Sequence, residues 1–337
     1  MNTVSCKLRP VTAFILSTFA IANPAFADEK KQDMEVMVVT ASGYEQMLKE
    51  APASISVIDR AQLEKRFYRD LTDAMADIPG VIVTGGGDRK DISLRGMASQ
   101  YTLILIDGQR QSSRETRPNS DGPGVEGAWT PPISAIERIE VIKGSRAAVY
   151  GSDAIAGVVN IITRNSQHSS LTLTVGRHKY RSAQFAGQFK DDNVSLGLNV
   201  GYETQTGFDV LQGSDPDEDG YTNRNFGANL TVDLQSMGEI SALLQLNSGV
   251  TAYDNNWDSV DDSIDKNRFE SSHLSLGWNN EFGRYQHDLK LSLSADHSDS
   301  TRNATNWTTF ETYVAEDKFS TKRNQIDYVV VGELDES

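Results

Sequence analysis

Arg110, Arg114, Arg117 and Trp129 fall in or beside an irregular stretch, Gln111 to Pro132, that is rich in Gly, Pro, Arg and Trp. A guanidinium can pair with an anion and also stack on an aromatic face, so this set is a candidate for binding. A solvated loop with scattered charge explains the same residue types, and residue type alone leaves both readings open. The cations stand out because the chain carries 47 Asp and Glu against 32 Lys and Arg, a formal net charge of −15. That acidity argues against a nucleic-acid-binding surface.

Other candidate chemistry is thin. Asp215, Asp217, Asp219 and Gly220 match the first half of a calcium loop. The position that should supply a bidentate Glu is Phe226, so an acidic, solvated surface loop is the better reading. Gly85-Gly86-Gly87 lacks the Lys-Ser/Thr of a phosphate loop and reads as a flexible turn. The five histidines show no metalloprotease spacing, and no zinc site is expected. Cys6 is the single cysteine, which excludes disulfides, thiolate metal sites and a cysteine nucleophile once the leader is removed. No nucleophile elbow or catalytic carboxylate pair is present, so an enzyme is not expected.

The elements that would position these residues fall into regions of different texture. Lys7 and Arg9 precede an apolar run, Val11 to Ile21, and Ala25-Phe26-Ala27 offers a small-x-small cleavage site. Residues 1–27 therefore read as an export signal, and its removal takes the net charge from −15 to −17. Residues 28–50 form a polar tail. Over 51–165 short strands, short helices and glycine turns alternate, predicting an α+β domain. Its strands are Ser54–Ile58, Val81–Thr84, Ile92–Leu94, Leu103–Ile106, Ile139–Ile142 and Val158–Ile162. Short helices are expected at Leu63–Phe67, with Asp59 as N-cap, and at Leu71–Met75.

From 166 to 337 the pattern becomes strict period-two alternation, with about eight strands. Tight turns at Asp191-Asp192-Asn193, Ser236-Met237-Gly238 and Phe282-Gly283-Arg284 alternate with long polar connections near Gly207–Asn223, Asp254–Lys266 and Ser298–Glu316. Short turns on one side and long loops on the other are the signature of antiparallel transmembrane β-barrel strands. A soluble β-sandwich also alternates, but it does not explain loop lengths that differ by side. Eight strands alone would enclose an interior filled by their own side chains, whereas the preceding domain has a radius of gyration near 14 Å. The ending Leu334-Asp335-Glu336-Ser337 has no terminal aromatic strand, so a larger, truncated barrel is expected.

Several motifs then carry a family likeness. Glu35-Val36-Met37-Val38-Val39-Thr40-Ala41, within about residues 34–42, resembles the TonB box of TonB-dependent outer-membrane receptors. Ala51-Pro52-Ala53-Ser54-Ile55-Ser56-Val57-Ile58 resembles the opening of their plug. Ile78-Pro79-Gly80-Val81, Ile92-Ser93-Leu94-Arg95-Gly96 and Leu105-Ile106-Asp107-Gly108 follow in family order. So do Ile136 through Gly144, Tyr150 through Ala154, and Gly157 through Thr163.

The resemblance is greatest to catecholate siderophore receptors of the enterobactin and colicin I type. It covers the plug and roughly the first third of a barrel of 22 strands. It implies a Gram-negative outer-membrane location, TonB with its inner-membrane complex as partner through residues 35–41, and an anionic ferric siderophore as cargo. No resident cofactor is implied. Arg110, Arg114, Arg117 and Trp129 fall where the family's ligand loops lie, which tips them towards ligand binding. Arg95, Glu137, Arg138, Glu140 and Lys143 are implied as structural plug residues. The family usually has Arg-Gly-Pro where this chain has Lys143-Gly144-Ser145, and Lys lacks the bidentate fork of Arg. An adhesin, or a bacteriocin or phage receptor on the same scaffold, is the alternative, though pure adhesion would need no TonB box. Cobalamin import stays open, whereas haem is less expected because no His lies between residues 85 and 135. Without further strands, this chain alone is not expected to transport.

Overall fold

β-Branched residues set the first sheet. In a computed structural model, described over residues 37–38, 46–47, 54–66, 68, 70–86, 89–110, 130–145, 150–151, 154–164, 169–207, 218–252, 265–306 and 308–332, they form short, mostly buried strands. β1 (Met37–Val38) and β2 (Gln46–Met47) form an antiparallel two-residue pair. β3 (Ser54–Ile58) leads into α1 (Arg60–Lys65) and α2 (Leu71–Met75). Then come β4 (Val81–Gly86), β5 (Arg89–Leu94), β6 (Thr102–Ile106), β7 (Gln109–Arg110), β8 (Ile136–Lys143) and β9 (Gly157–Thr163). The central sheet has the order β3-β8-β9-β6-β7 and is mixed, because β6 and β9 run parallel.

Both helices start where a carboxylate can take their first free N–H groups. Asp59 accepts from Gln62 N at 2.7 Å and Asp70 from Asp73 N at 2.9 Å. α1 therefore begins immediately after its cap and ends at Lys65, where Arg66 turns extended, rather than spanning 63–67 as expected. Helices and sheet bury Leu63, Leu71, Met75, Ile104, Ile106, Ile139 and Ile161 in one core. The opposite face of β6 buries Leu103 and Leu105 against Ala154 and Val158. Each such Leu, Ile, Val or Met side chain contributes about 1.5–3 kcal/mol on burial. Gly85 and Gly86, expected in a turn, lie instead within β4, paired with Lys90 and Arg89; Gly87 lies outside the described residues.

A second sheet follows in simple sequence order, every pair antiparallel. Its strands are β10 (Ser170–Val175), β11 (Arg181–Lys190), β12 (Val194–Gln205), β13 (Tyr221–Asp233), β14 (Glu239–Ala252), β15 (Lys266–Phe282), β16 (Tyr285–Asn306) and β17 (Glu311–Gly332). All eight expected strands are present, and the tight turns share one edge. The third long connection is different. Ser298 to Glu316 is mostly strand, with pairs from Ser298↔Phe319 to Asn306↔Glu311, closed by a turn ending at Phe310. The Ser, Thr and Asp residues here look like loop by composition, but backbone pairing continues because both strands run on together. At 22 residues each, β16 and β17 extend about 73 Å along the chain, well beyond an apolar band of about 25 Å.

The register shows that band directly. Leu196, Leu230, Ala242, Leu276, Leu291 and Ile326 are successive cross-strand neighbours on the outward face. At the tight-turn edge stand Trp278, Phe282, Tyr285 and Tyr328. The Trp278–Phe282 ring centroids are 6.0 Å apart, and His287 Nδ1 shares a 2.7 Å hydrogen bond with the Tyr328 hydroxyl. An apolar exterior with an aromatic girdle at its rim is what a lipid bilayer selects. No helix among the described residues is long and apolar enough to cross a membrane.

Candidate functional site

The plug meets the barrel strands through the turn between β6 and β7. Asp107 and Gly108 both take positive φ, 49° and 75°, the geometry of a tight hairpin whose twist matches its strands. The Asp107 carboxylate accepts from Thr163 N at 2.8 Å and from the Thr163 hydroxyl at 2.7 Å, fixing the turn against β9. Gly108 N donates to Asn160 Oδ1 at 3.1 Å. Burial pushes the Asp107 carboxyl above the usual carboxylate range, opposed by Thr163 and by the charges of Lys290 and Arg138. Next in the chain, Gln109 is buried, and its side-chain oxygen accepts a hydrogen bond from the Ser292 hydroxyl on the inner face of β16. Ser134 makes a second link, to Gln184 of β11 at 3.2 Å.

Arg110 follows directly. Its side chain is half-buried and its guanidinium donates to the Tyr150 carbonyl, so its stem is braced within the plug. Arg114, Arg117 and Trp129 lie outside the described residues.

The expected structural residues fall at strand β8 and one neighbouring turn. Arg138 and Glu140 form an ion pair at 2.8 Å, with Glu140 fully buried and Glu137 half-buried. Lys143 Nζ donates to Ser56 Oγ at 2.9 Å and to the Pro79 carbonyl at 3.0 Å. Its cation thus stitches β8 to β3 and to the turn after α2. Arg95 and Gly96 form another positive-φ turn, with φ of 54° and 76°, and Arg95 N donates to Gly80 O at 2.9 Å.

Within the TonB-box candidate, Met37 and Val38 are β1 and pair with β2, while Glu35, Val36, Val39, Thr40 and Ala41 lie outside the described residues. So do the export segment 1–27 and residues 51–53.

The inner wall of the second sheet holds residues that sequence reasoning did not single out. Asn247, Thr251, Asn267, Ser271, His273, Asp296, Ser298 and Ser300 are buried and polar, all on the face opposite the apolar band. Ser298 Oγ donates to Asn267 Oδ1 at 2.8 Å, and Asp265 Oδ1 accepts from Asn303 N at 2.7 Å. The available signal was the polar half of the period-two alternation. Such a wall of hydroxyls and amides can pass a polar solute by exchanging hydrogen bonds. Asp219 departs from the expected solvated acidic loop: it is buried beside Gly220, whose carbonyl accepts from Ala252 N at 2.8 Å. Asp215 and Asp217 lie outside the described residues, and among the described residues no group of three or more acidic, His or Cys side chains could hold a metal.

Residues 47–158 match the family described as the TonB-dependent receptor plug domain. Over 251 residues the chain is 47% identical to an iron-regulated outer membrane virulence protein of Vibrio cholerae, covering 73% of this chain and 38% of that protein. It is 33% identical over 234 residues to the vitamin B12 transporter of Vibrio vulnificus, covering 67% of this chain and 37% of the transporter. The chain therefore spans under two-fifths of the length of these relatives. Among solved structures, a variant of the ferric enterobactin receptor of Pseudomonas aeruginosa superposes with a TM-score of 0.61 at 20% identity, covering 86% of this chain and 48% of that one. The ferric-catecholate import receptor of E. coli K12 gives 0.63 at 16% identity, covering 85% and 47%. These likenesses are of fold: a mixed plug sheet followed by antiparallel barrel strands. Residues 47–158 therefore form a plug domain of the TonB-dependent receptor family, and the strands that follow share the barrel fold of such receptors.

Proposed function

We propose that this chain supplies the plug and first barrel strands of an energy-coupled importer of ferric siderophores, catecholates foremost. The observation that carries this is the tie between Gln109 of the plug turn and Ser292 on the inner face of β16. A plug held on the polar inner wall must move before cargo passes, and movement against such contacts calls for an energy source. The segment Glu35–Ala41 would provide the handle, adding as a strand to the periplasmic partner TonB. Because Met37–Val38 already pairs with Gln46–Met47, strand addition would exchange one set of backbone bonds for another.

Arg110, with Arg114, Arg117 and Trp129, would attract the anionic complex and stack on its catecholate rings. The iron complex is cargo, and no resident cofactor is required. Residues 1–27 would direct export and be removed.

The test is uptake of radiolabelled ferric enterobactin by receptor-deficient cells carrying the complete receptor gene, beside labelled cobalamin. Cobalamin is included because one relative is named as a vitamin B12 transporter. The expected result is TonB-dependent uptake of the ferric catecholate, abolished by deletion of residues 35–41. Uptake of cobalamin alone would overturn the cargo assignment, and uptake that survives the deletion would overturn the coupling.

A further inference from the structure

Glycines interrupt the inner face of the barrel sheet at Gly197 and Gly201 on β12, Gly227 on β13, Gly249 on β14 and Gly277 on β15. None of them has a positive φ, so backbone conformation does not call for glycine at these positions. A glycine inside a strand weakens it, and one kept there marks a close approach. Here the approach comes from the residue directly opposite. A Cβ on Gly201 would lie 2.5 Å from both terminal amide atoms of its partner Asn225. A Cβ on Gly197 would overlap Asn229, and one on Gly227 would overlap Asn199, again the direct partners. On successive inner rows β12 and β13 therefore read Gly–Asn, Asn–Gly, Gly–Asn, a checkerboard of gaps and side chains that fill them. Between β14 and β15, the Phe269 ring covers Gly249 at 2.5 Å from where a Cβ would stand, and Ser241 covers Gly277. The Asn225 side-chain oxygen is buried and accepts no hydrogen bond among the described residues, so shape is what this amide supplies.

We propose that these glycines and the side chains that cover them are register keys, which set how β12 meets β13 and β14 meets β15 and so position both plug anchors. These two pairings are the ones that need a key. Tight turns at 191–193, 234–238 and 283–284 set the register of β11 with β12, β13 with β14 and β15 with β16. β12 and β13 are joined through residues 206–220, and β14 and β15 through 253–265. Two residues more or less in such a long connection change its closure cost little. Lipid does not decide the register either. A slip of one residue would turn the apolar face inward, but a slip of two returns every side chain to its own face. Leu196 would exchange Leu230 for Ala228 or Val232 and stay in an apolar row. The inner face does decide. A two-residue slip in either direction sets Asn199 against Asn225 or Asn229, and Gly227 against Gly197 or Gly201. Amides then collide in one row while a gap opens in another. The same slip carries β13 to β17 about 7 Å along β12. Gln184 of β11 and Ser292 of β16, which hold Ser134 and Gln109 of the plug, stand on opposite sides of these joints. Only the keyed register lets one plug reach both.

The experiment is cysteine cross-linking of the complete receptor assembled in outer membranes, where residues 28–337 contribute no cysteine of their own. T204C/T222C reports the native register, because these residues are direct partners with hydroxyls 3.0 Å apart. Y202C/T222C and T204C/R224C report two-residue slips in the two directions. In the native register each of those pairs is diagonal, about 7–8 Å apart and too far for a ready disulfide. With the wall unsubstituted, only T204C/T222C should cross-link. Removing the keys without adding bulk, in N199G/N225G/N229G, should raise slipped cross-linking roughly fivefold. G201N, which sets one amide against another, should lower the native signal roughly fivefold, and the exchange G201N/N225G should restore it. In the slipped receptor Q109C/S292C cross-linking should fall while S134C/Q184C cross-linking persists. Native cross-linking alone in N199G/N225G/N229G, or no recovery in G201N/N225G, would overturn the keys. Undiminished Q109C/S292C cross-linking in the slipped receptor would overturn their role in anchoring the plug. Should G201N fail to assemble at all, rescue of assembly by G201N/N225G supports the key and a second failure overturns it.

Discussion

The plug and the barrel strands are built from similar apolar residues placed at opposite addresses. In the plug, Ile104, Ile106, Ile139 and Ile161 point inward and are almost wholly buried. In the barrel sheet, Leu196, Leu274, Leu276 and Leu291 point outward, and the polar Asn247, Ser271 and Ser298 point inward. The difference comes from the solvent each region meets. Water drives the plug's apolar groups into a core, and lipid removes that drive, leaving the barrel's outward face free to be apolar. An outward Leu that would be a liability on a soluble sheet is therefore what a transmembrane strand requires.

The comparison can be broken most severely in the plug. Gly157 has φ of 152°, and a Cβ there would come within 2.2 Å of the Ile142 carbonyl oxygen and 2.7 Å of Leu94 Cδ1. Gly157→Val should cost about 4 kcal/mol or more, a large part of a domain's stability. Limited proteolysis should then cut within the plug while the membrane-embedded strands stay protected. Equal protection of plug and strands would contradict the account of a separately packed core.

A charge placed on the two faces of the barrel sheet tests the inverted pattern next. Leu274 lies four residues from both Trp278 and Glu270, near the middle of the apolar band. Leu274→Arg should destabilise the barrel by about 2–4 kcal/mol in bilayers, whereas Thr231→Lys, on the inner face, should cost about 1 kcal/mol or less. Urea titrations in lipid vesicles would measure both, and equal costs would mean the faces are misassigned.

Smaller effects belong to the plug's helix caps. Asp59→Ala and Asp70→Ala should each lower plug stability by about 1 kcal/mol, seen as a lower midpoint for loss of plug protease resistance. No change in either would mean that the helices start without these caps.

The finest distinction is in pH. Because burial raises the folded pKa of Asp107, its contribution is fully present below the unfolded value and is lost as pH rises through the folded one. Asp77 behaves oppositely. The Tyr68 hydroxyl, donating at 2.6 Å, and Arg66 hold it below its ordinary value, so its contribution is lost as pH falls through that lowered pKa. Asp107→Asn should make plug stability less dependent on rising pH, and Asp77→Asn less dependent on falling pH. The same slope in both variants would refute the assignment of opposite signs.

Legibility followed the same physical division. The strands from Leu171 to Ala295 were readable because lipid enforces an apolar residue at every second position. From Ser298 to Glu316 both faces are mostly polar, the alternation disappears, and paired strands resemble a loop. Gly85 and Gly86 misled for a related reason: a glycine is permissive of a turn but does not require one. The Asp59 and Asp70 caps were local and therefore visible in part, whereas the parallel pairing of β6 with β9 joins segments far apart in the chain.

By itself the sequence determined the order of plug then barrel strands, the face each strand gives to lipid, the tight turns and the family motifs. All of these depend on near neighbours along the chain, or on a period imposed by the surrounding solvent. Only the tertiary structure decided that Lys143 binds Ser56 and the Pro79 carbonyl, that Arg110 braces on Tyr150, and that Gln109 meets Ser292. It also decided that Asn225 covers Gly201. Those contacts join residues many positions apart, and their geometry is set by sheet order and register, which no local pattern encodes.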